Sequence, residues 1–236
     1  MKPVAIFRHA LTEGPGYFAT FLDNHAIPWI LVKIDEGDAV PPQPNAYSGL
    51  VFMGGPMSVN DNLPWIPQVL ALIRHAVSAE IPVLGHCLGG QLMSKALGGV
   101  VGKNAVREIG WGEVNIENNP VARQWLGDTL ESFLSFHWHG ETFSIPPGAS
   151  RILSNSWCEN QAFAMGKHLS LQCHVEMTPQ LIHSWCETGA REIATHPGPS
   201  VQDAQAMQAD LAKRVPQLHS VADQLYSRWI KGLRNL

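Results

Sequence analysis

The sequence predicts an α/β fold with a mostly parallel central sheet covered by helices, and three observations predict it. Short apolar runs rich in β-branched residues alternate with helical patterns, which is the signature of a parallel sheet buried on both faces. The stretch 50–85 reads strand, helix, strand. Cys87, bracketed by glycines, follows the last of those strands and opens a helical pattern.

The run Val4-Ala5-Ile6-Phe7 is too short for the core of a signal peptide and reads as a first buried strand. Further candidate strands lie at 29–34, 50–53 and 82–85. Between the last two, Ile66, Val69, Leu70, Ile73 and Val77 recur at helical spacing until Pro82 ends the pattern. Residues 88–97 read as a helix, and Gly98-Gly99 supplies the left-handed residue that commonly closes one. The stretch 100–116 alternates like a strand and begins an antiparallel excursion. Residues 161–165 and 169–173 flank Gly166-Lys167-His168 as a hairpin. Thr178-Pro179 is an N-cap followed by proline at the first helical position, opening a helix that stops at Gly189. The segment 195–200, with two prolines and a glycine, reads as a linker. Beyond it, Leu211, Val215, Leu218, Val221, Leu225 and Trp229 mark an amphipathic helix interrupted at Pro216. The expected organisation is one domain over 1–194 with a helical extension over 195–236 packed on it, since ~35 residues rarely make an independent core.

Composition bounds the function. A chain of 236 residues buries one substantial core without needing a second, and 45% hydrophobic residues with eight Trp and eight Phe exclude a disordered chain. A formal net charge of -4 without a block of like charges leaves no footprint for nucleic acid or an anionic membrane, so the expected partner is a small molecule or a protein. No span approaches a membrane helix. The four cysteines, Cys87, Cys158, Cys173 and Cys186, form no C-x-x-C pair, which points to a reducing compartment and a cytoplasmic protein.

The most informative segment is Gly85-His86-Cys87-Leu88-Gly89-Gly90-Gln91. A nucleophile on a tight strand-to-helix turn needs small residues two before and two after it, because backbone meets backbone there. Gly85 and Gly89 meet that need. Unpaired amides and the dipole at a helix N-terminus also favour the thiolate. Most lone cysteines are buried structural ones, but few of those stand between a strand and a helix with glycines on either side. Such a nucleophile needs a base, and among eleven histidines spacing selects one. In Cys173-His174-Val175-Glu176, the histidine and the carboxylate sit two apart at the end of a candidate strand, where residues i and i+2 share a face. Glu176 can then orient His174 and stabilise its imidazolium.

With both strings in hand, the chain resembles the class I glutamine amidotransferases over about residues 45–190, most closely stand-alone members similar to the amidotransferase domain of GMP synthase. The elbow matches the family's G-x-C-x-G-x-Q, and His174-Val175-Glu176 matches its H-P-E with valine in place of proline. Leu50-Val51-Phe52-Met53-Gly54-Gly55-Pro56 looks like the family's strand and G-G-P loop. Phe136-His137-Trp138-His139-Gly140-Glu141 resembles its S-H-G-D segment, with Trp138 where serine is common and Glu141 where aspartate stands. The resemblance implies a three-layer flavodoxin-like fold and a Cys87, His174, Glu176 triad. It implies an oxyanion hole from the Gly55 and Leu88 amides, and substrate contacts from Gln91, Trp138 and His139, the last two largely through backbone. It implies no cofactor. The substrate would be glutamine or a γ-glutamyl compound. Because the ~46 residues after Ala190 cannot hold a synthase, the ammonia acceptor would be a separate enzyme.

Four rival readings stand on the same residues, and one of them, a non-catalytic binding subunit that keeps the fold for a partner, is opposed by the complete triad. A γ-glutamyl peptide hydrolase would use the same triad on a larger leaving group. The dienelactone hydrolases share a G-x-C-x-G-G elbow, but they place the acid between nucleophile and histidine. A zinc site at His137 and His139 lacks a third ligand nearby in sequence, and an H-x-H alone is poor zinc evidence.

Overall fold

The computed structural model describes residues 2–233. The chain runs β1 (Val4–Arg8), α1 (Gly16–Asn24), β2 (Trp29–Lys33), β3 (Gly49–Phe52), α2 (Trp65–Ser78), β4 (Val83–His86), α3 (Leu88–Ala96), β5 (Val101–Ile116) and α4 (Pro120–Leu126). It continues through β6 (Ser132–Phe143), β7 (Ser150–Ser154), β8 (Ala162–Met165), β9 (His168–Leu171), α5 (Pro179–Thr188), α6 (Ala190–Thr195), α7 (Ala204–Gln208) and α8 (Leu211–Ile230).

Among the described residues, nine strands form one sheet in the order β2-β1-β3-β4-β9-β8-β7-β5-β6. From β2 to β9 the pairing is parallel, and from β9 to β6 it is antiparallel. The antiparallel excursion expected after residue 100 therefore supplies four of these nine strands, β5 to β8. Alternation along the parallel strands divides their side chains between two cores. Val4, Ile6, Val51 and Leu84 join Phe18 and Phe21 of α1, Ile182 of α5 and Leu218 and Tyr226 of α8 in one core. Ala5, Phe7, Leu50, Phe52 and Val83 join Ile66, Val69 and Ile73 of α2 and Leu92 of α3 in the other. This is the three-layer α/β arrangement that the sequence predicts.

The caps match the sequence reading. Thr178 accepts a hydrogen bond from the Leu181 N–H at 3.2 Å, Pro179 opens α5, and Gly189 closes it. Two expectations need correction. Pro216 does not interrupt the last helix, for α8 runs unbroken through it. A proline inside a helix forfeits one N–H bond and costs ~3 kcal/mol, but Val215, Leu218, Val221, Ala222, Leu225, Tyr226 and Trp229 form one continuous buried stripe that offsets it. The segment read as a linker is also tied down at its far end, where Val201 bridges Ile109 of β5 and Gln202 pairs with both backbone groups of Trp111 at 2.8 and 3.0 Å. Among the described residues, no helix is long and apolar enough to cross a membrane.

Candidate active site

Cys87 stands at the C-terminal end of β4, a central strand, where open α/β sheets bind ligands. Its backbone adopts φ 49° and ψ -107°, a left-handed conformation that few non-glycine residues take. The flanking glycines make that turn possible. A Cβ on Gly85 would lie 2.4 Å from the Gly89 carbonyl carbon, and one on Gly89 would lie 1.9 Å from the Phe52 oxygen. The Cys87 N–H donates to the Leu171 carbonyl at 2.7 Å, tying the elbow to β9.

His174 and Glu176 meet, though not by the route expected. β9 ends at Leu171, and His174 meets the sheet through an isolated bridge to Phe136 and through its carbonyl, which accepts from Ser135 Oγ at 3.5 Å. The bent segment that follows brings His174 Nδ1 within 2.7 Å of Glu176 Oε1. A hydrogen bond at that ring atom puts the proton on Nδ1, and Nε2 has no hydrogen-bond partner among the described residues. Trp185 of α5 packs edge-on against the imidazole with ring centroids 4.8 Å apart. Cys173, next to the histidine, is fully buried in the core.

Electrostatics follow from burial and pairing. Burial works against the Glu176 charge, but the imidazoles of His86 and His174 outweigh it and hold the carboxyl at about 2. Burial likewise disfavours a charged His174, and Glu176 and Cys87 together overcome this and raise it well above the ordinary histidine value. The acid also has a second support. His86 Nε2 lies 3.7 Å from Glu176 Oε2 and 3.0 Å from the Tyr226 hydroxyl of α8. His219 of the same helix reaches the Met177 carbonyl at 2.8 Å, so α8 braces the loop that carries the histidine and the acid.

Above Cys87 opens a cavity of about 940 Å³, lined in part by Gly55, Gln91, Trp138 and His139. Leu88 is the first residue of α3, so its N–H has no intrahelical acceptor. Gly55 lies beside it, for a Cβ there would sit 2.8 Å from Leu88 Cδ2. Gln91 Nε2 donates to Gln172 Oε1 at 3.1 Å, and Gln172 Nε2 is 3.5 Å from Cys87 Sγ. The Trp138 carbonyl is 3.8 Å from that sulfur. Its indole N–H donates to Glu192 at 2.9 Å, and Glu192 also pairs with Arg107 at the rim. The His139 imidazole turns away to Glu108 and is 1% exposed, so it is the His139 backbone that faces the cavity.

Sequence reasoning missed Glu13. It lines the cavity beside Gly54, where a Cβ would lie 2.5 Å from Glu13 Oε2 and 3.5 Å from His174 Cε1. Burial pushes its carboxyl up to about 7, with Glu176 adding to the shift. Its one sequence signal was its place just past the first parallel strand, where α/β sheets gather site residues.

The pattern of the family described as Glutamine amidotransferase class-I matches residues 25–188. The chain belongs to that family. Its structure superposes on the crystal structure of a glutamine amido transferase from Methylobacillus flagellatus with a TM-score of 0.96 and 44% identity, covering 99% of this chain and 96% of that one. It is 24% identical to the glutamine amidotransferase-like protein YfeJ of Salmonella typhimurium over 196 residues, 80% of this chain and 82% of that protein. It is 32% identical to the glutamine-hydrolyzing GMP synthase of Vibrio vulnificus over 134 residues, which are 55% of this chain and 24% of the synthase. Only about a quarter of that synthase is therefore matched. Family membership makes this a cysteine-nucleophile amidotransferase fold, and the carboxylate bonded to His174 follows it in sequence, unlike the order of the dienelactone hydrolases.

Proposed function

We propose that this chain hydrolyses the side-chain amide of glutamine through a γ-glutamyl thioester on Cys87 and releases ammonia for a separate acceptor enzyme. The observation that carries the reading is Cys87, held left-handed on a glycine-bracketed elbow at the cavity floor with the His174–Glu176 pair beside it. His174 Nε2 takes the thiol proton, and Cys87 Sγ bonds to the amide carbon. The Gly55 and Leu88 amides hold the oxyanion while it lasts. The C–N bond breaks as His174 returns its proton to the departing ammonia. His174 then takes a proton from water, whose oxygen attacks the thioester carbon and frees glutamate and the thiolate. The match to a glutamine-hydrolyzing synthase supports an acceptor for the released ammonia.

The test is labelling by a diazo-ketone analogue of glutamine, read by peptide mass. Modification is expected at Cys87 alone, because burial pushes the thiols of Cys158 and Cys173 up to about 11 and about 12 and raises that of Cys186. Labelling confined to those three would end the proposal.

A second reading, γ-glutamyl peptide hydrolysis, is favoured by the cavity, whose 940 Å³ is near the upper end of the ~300–1,000 Å³ usual for small-molecule sites. Comparing kcat/KM for glutamine, asparagine and γ-glutamyl dipeptides decides. Asparagine is expected to be cleaved about 10²-fold less well, because its amide stops one methylene short of the sulfur. Equal turnover of the two amides would remove the pocket assignment, and dipeptides far outrunning glutamine would replace ammonia donation by peptide hydrolysis.

A further inference from the structure

Behind the cavity wall lies a second polar cluster that the proposed chemistry leaves unused. The antiparallel register of β5 and β6 sets Glu108 directly opposite His139 and Gly110 opposite His137. Two residues apart on one strand, the two histidines share the face away from Trp138. Glu108, His137 and His139 are 2%, 1% and 5% exposed. One ligand atom from each lies within 4.8 Å of the other two.

Proton placement makes this cluster chemically incomplete. His137 Nε2 points to the Gly112 carbonyl at 3.3 Å, and His139 Nδ1 points to the Glu141 carbonyl at 3.0 Å. A carbonyl only accepts, so each ring carries its proton on that side. The opposite nitrogens, His137 Nδ1 and His139 Nε2, therefore present lone pairs, and neither has a hydrogen-bond partner among the described residues. Both face the carboxylate: His139 Nε2 is 3.0 Å from Glu108 Oε2, and His137 Nδ1 is 3.9 Å from Oε1. The carboxylate oxygens already accept from Asn155 at 2.6 Å and Gln161 at 2.7 Å. With both rings neutral, three buried acceptors converge, which is costly unless a proton or a metal cation sits between them.

We infer that Glu108, His137 and His139 bind one divalent transition-metal ion, with zinc the best match to two imidazoles and a carboxylate. Around a tetrahedral zinc ion with ligands at about 2.0–2.1 Å, ligand atoms lie roughly 3.3–3.5 Å apart. The 3.0 and 3.9 Å separations bracket that spacing, so small rotations of the rings complete the set. The outer supports of such a site are present, since both imidazoles donate to backbone carbonyls and two amides orient the carboxylate. A cavity of about 50 Å³ lined by Glu108 and His137 adjoins the cluster, and a water needs ~30 Å³, so a fourth ligand has room. The ion would clamp β5 to β6 behind Trp138, the strand that walls the substrate cavity.

The experiment titrates chelator-stripped protein with zinc and with cobalt(II), using the Cys87→Ser chain so that the elbow thiol takes no metal. The expected result is one ion per chain, a tetrahedral or five-coordinate cobalt absorption band, and a thermal midpoint raised by added zinc. His137→Gln and Glu108→Gln are each expected to weaken zinc binding at least 100-fold. Because a variant could unfold, the cobalt spectrum of the Cys87→Ser chain serves as the independent readout. Absence of binding there, with a proton shared by Glu108 and His139 instead, overturns the inference, as does zinc affinity unchanged in folded His137→Gln.

Discussion

Cys87→Ser is expected to lower glutamine turnover by roughly 10⁴-fold or more, on the scale of nucleophile removal in triad hydrolases. The swap alters one atom and keeps the φ 49° turn and the glycine contacts that shape it. Folding should therefore survive, because the new hydroxyl occupies the place of a nearly buried thiol that made no short hydrogen bond. Serine is the poorer nucleophile, since a hydroxyl is a far weaker acid than a thiol and oxygen is intrinsically less nucleophilic than sulfur. Steady-state release of glutamate, measured with the thermal midpoint of the same preparation, reads both sides of this expectation. Activity within tenfold of the unchanged chain would mean that some other group attacks the amide.

Glu176→Gln is expected to cost less, roughly 10²- to 10³-fold, because a misoriented His174 still samples productive geometry. The substitution keeps size and burial but removes the charge 2.7 Å from His174 Nδ1. That charge is a main reason the imidazole is raised above the ordinary histidine value, so His174 falls in the variant. His174 must be protonated to release ammonia, and the alkaline limb of kcat/KM therefore moves to lower pH. Stability shifts in the complementary direction. A carboxyl held at about 2 in the folded chain, below its ordinary value of 4.5, stabilises the fold above pH 4.5, and the contribution is lost as pH falls from 4.5 towards 2. Acid unfolding of the variant should lack this component. Unchanged turnover and an unmoved alkaline limb in a folded Glu176→Gln chain would take the acid's role from this residue.

The sequence by itself determined whatever depends on neighbours along the chain. Alternating apolar runs marked the parallel strands, Thr178-Pro179 and Gly189 bounded α5, and the glycines around Cys87 marked a turn that admits no Cβ. These are local rules of backbone sterics and hydrogen bonding, legible within a few residues. His174 and Glu176 were found by the same kind of rule, but for an inexact reason: the strand stops at Leu171, and a bent loop held by Phe136, Trp185 and α8 brings them together. Tertiary structure alone decided the rest. Tyr226 supports His86 from 140 residues away, Glu13 enters the cavity from the loop between β1 and α1, and Glu108 meets His137 and His139 only through the β5–β6 register. No periodicity encodes such meetings, because they depend on which surfaces the two cores bury against each other, and a shift of one residue in strand register would turn Glu108 to the opposite face.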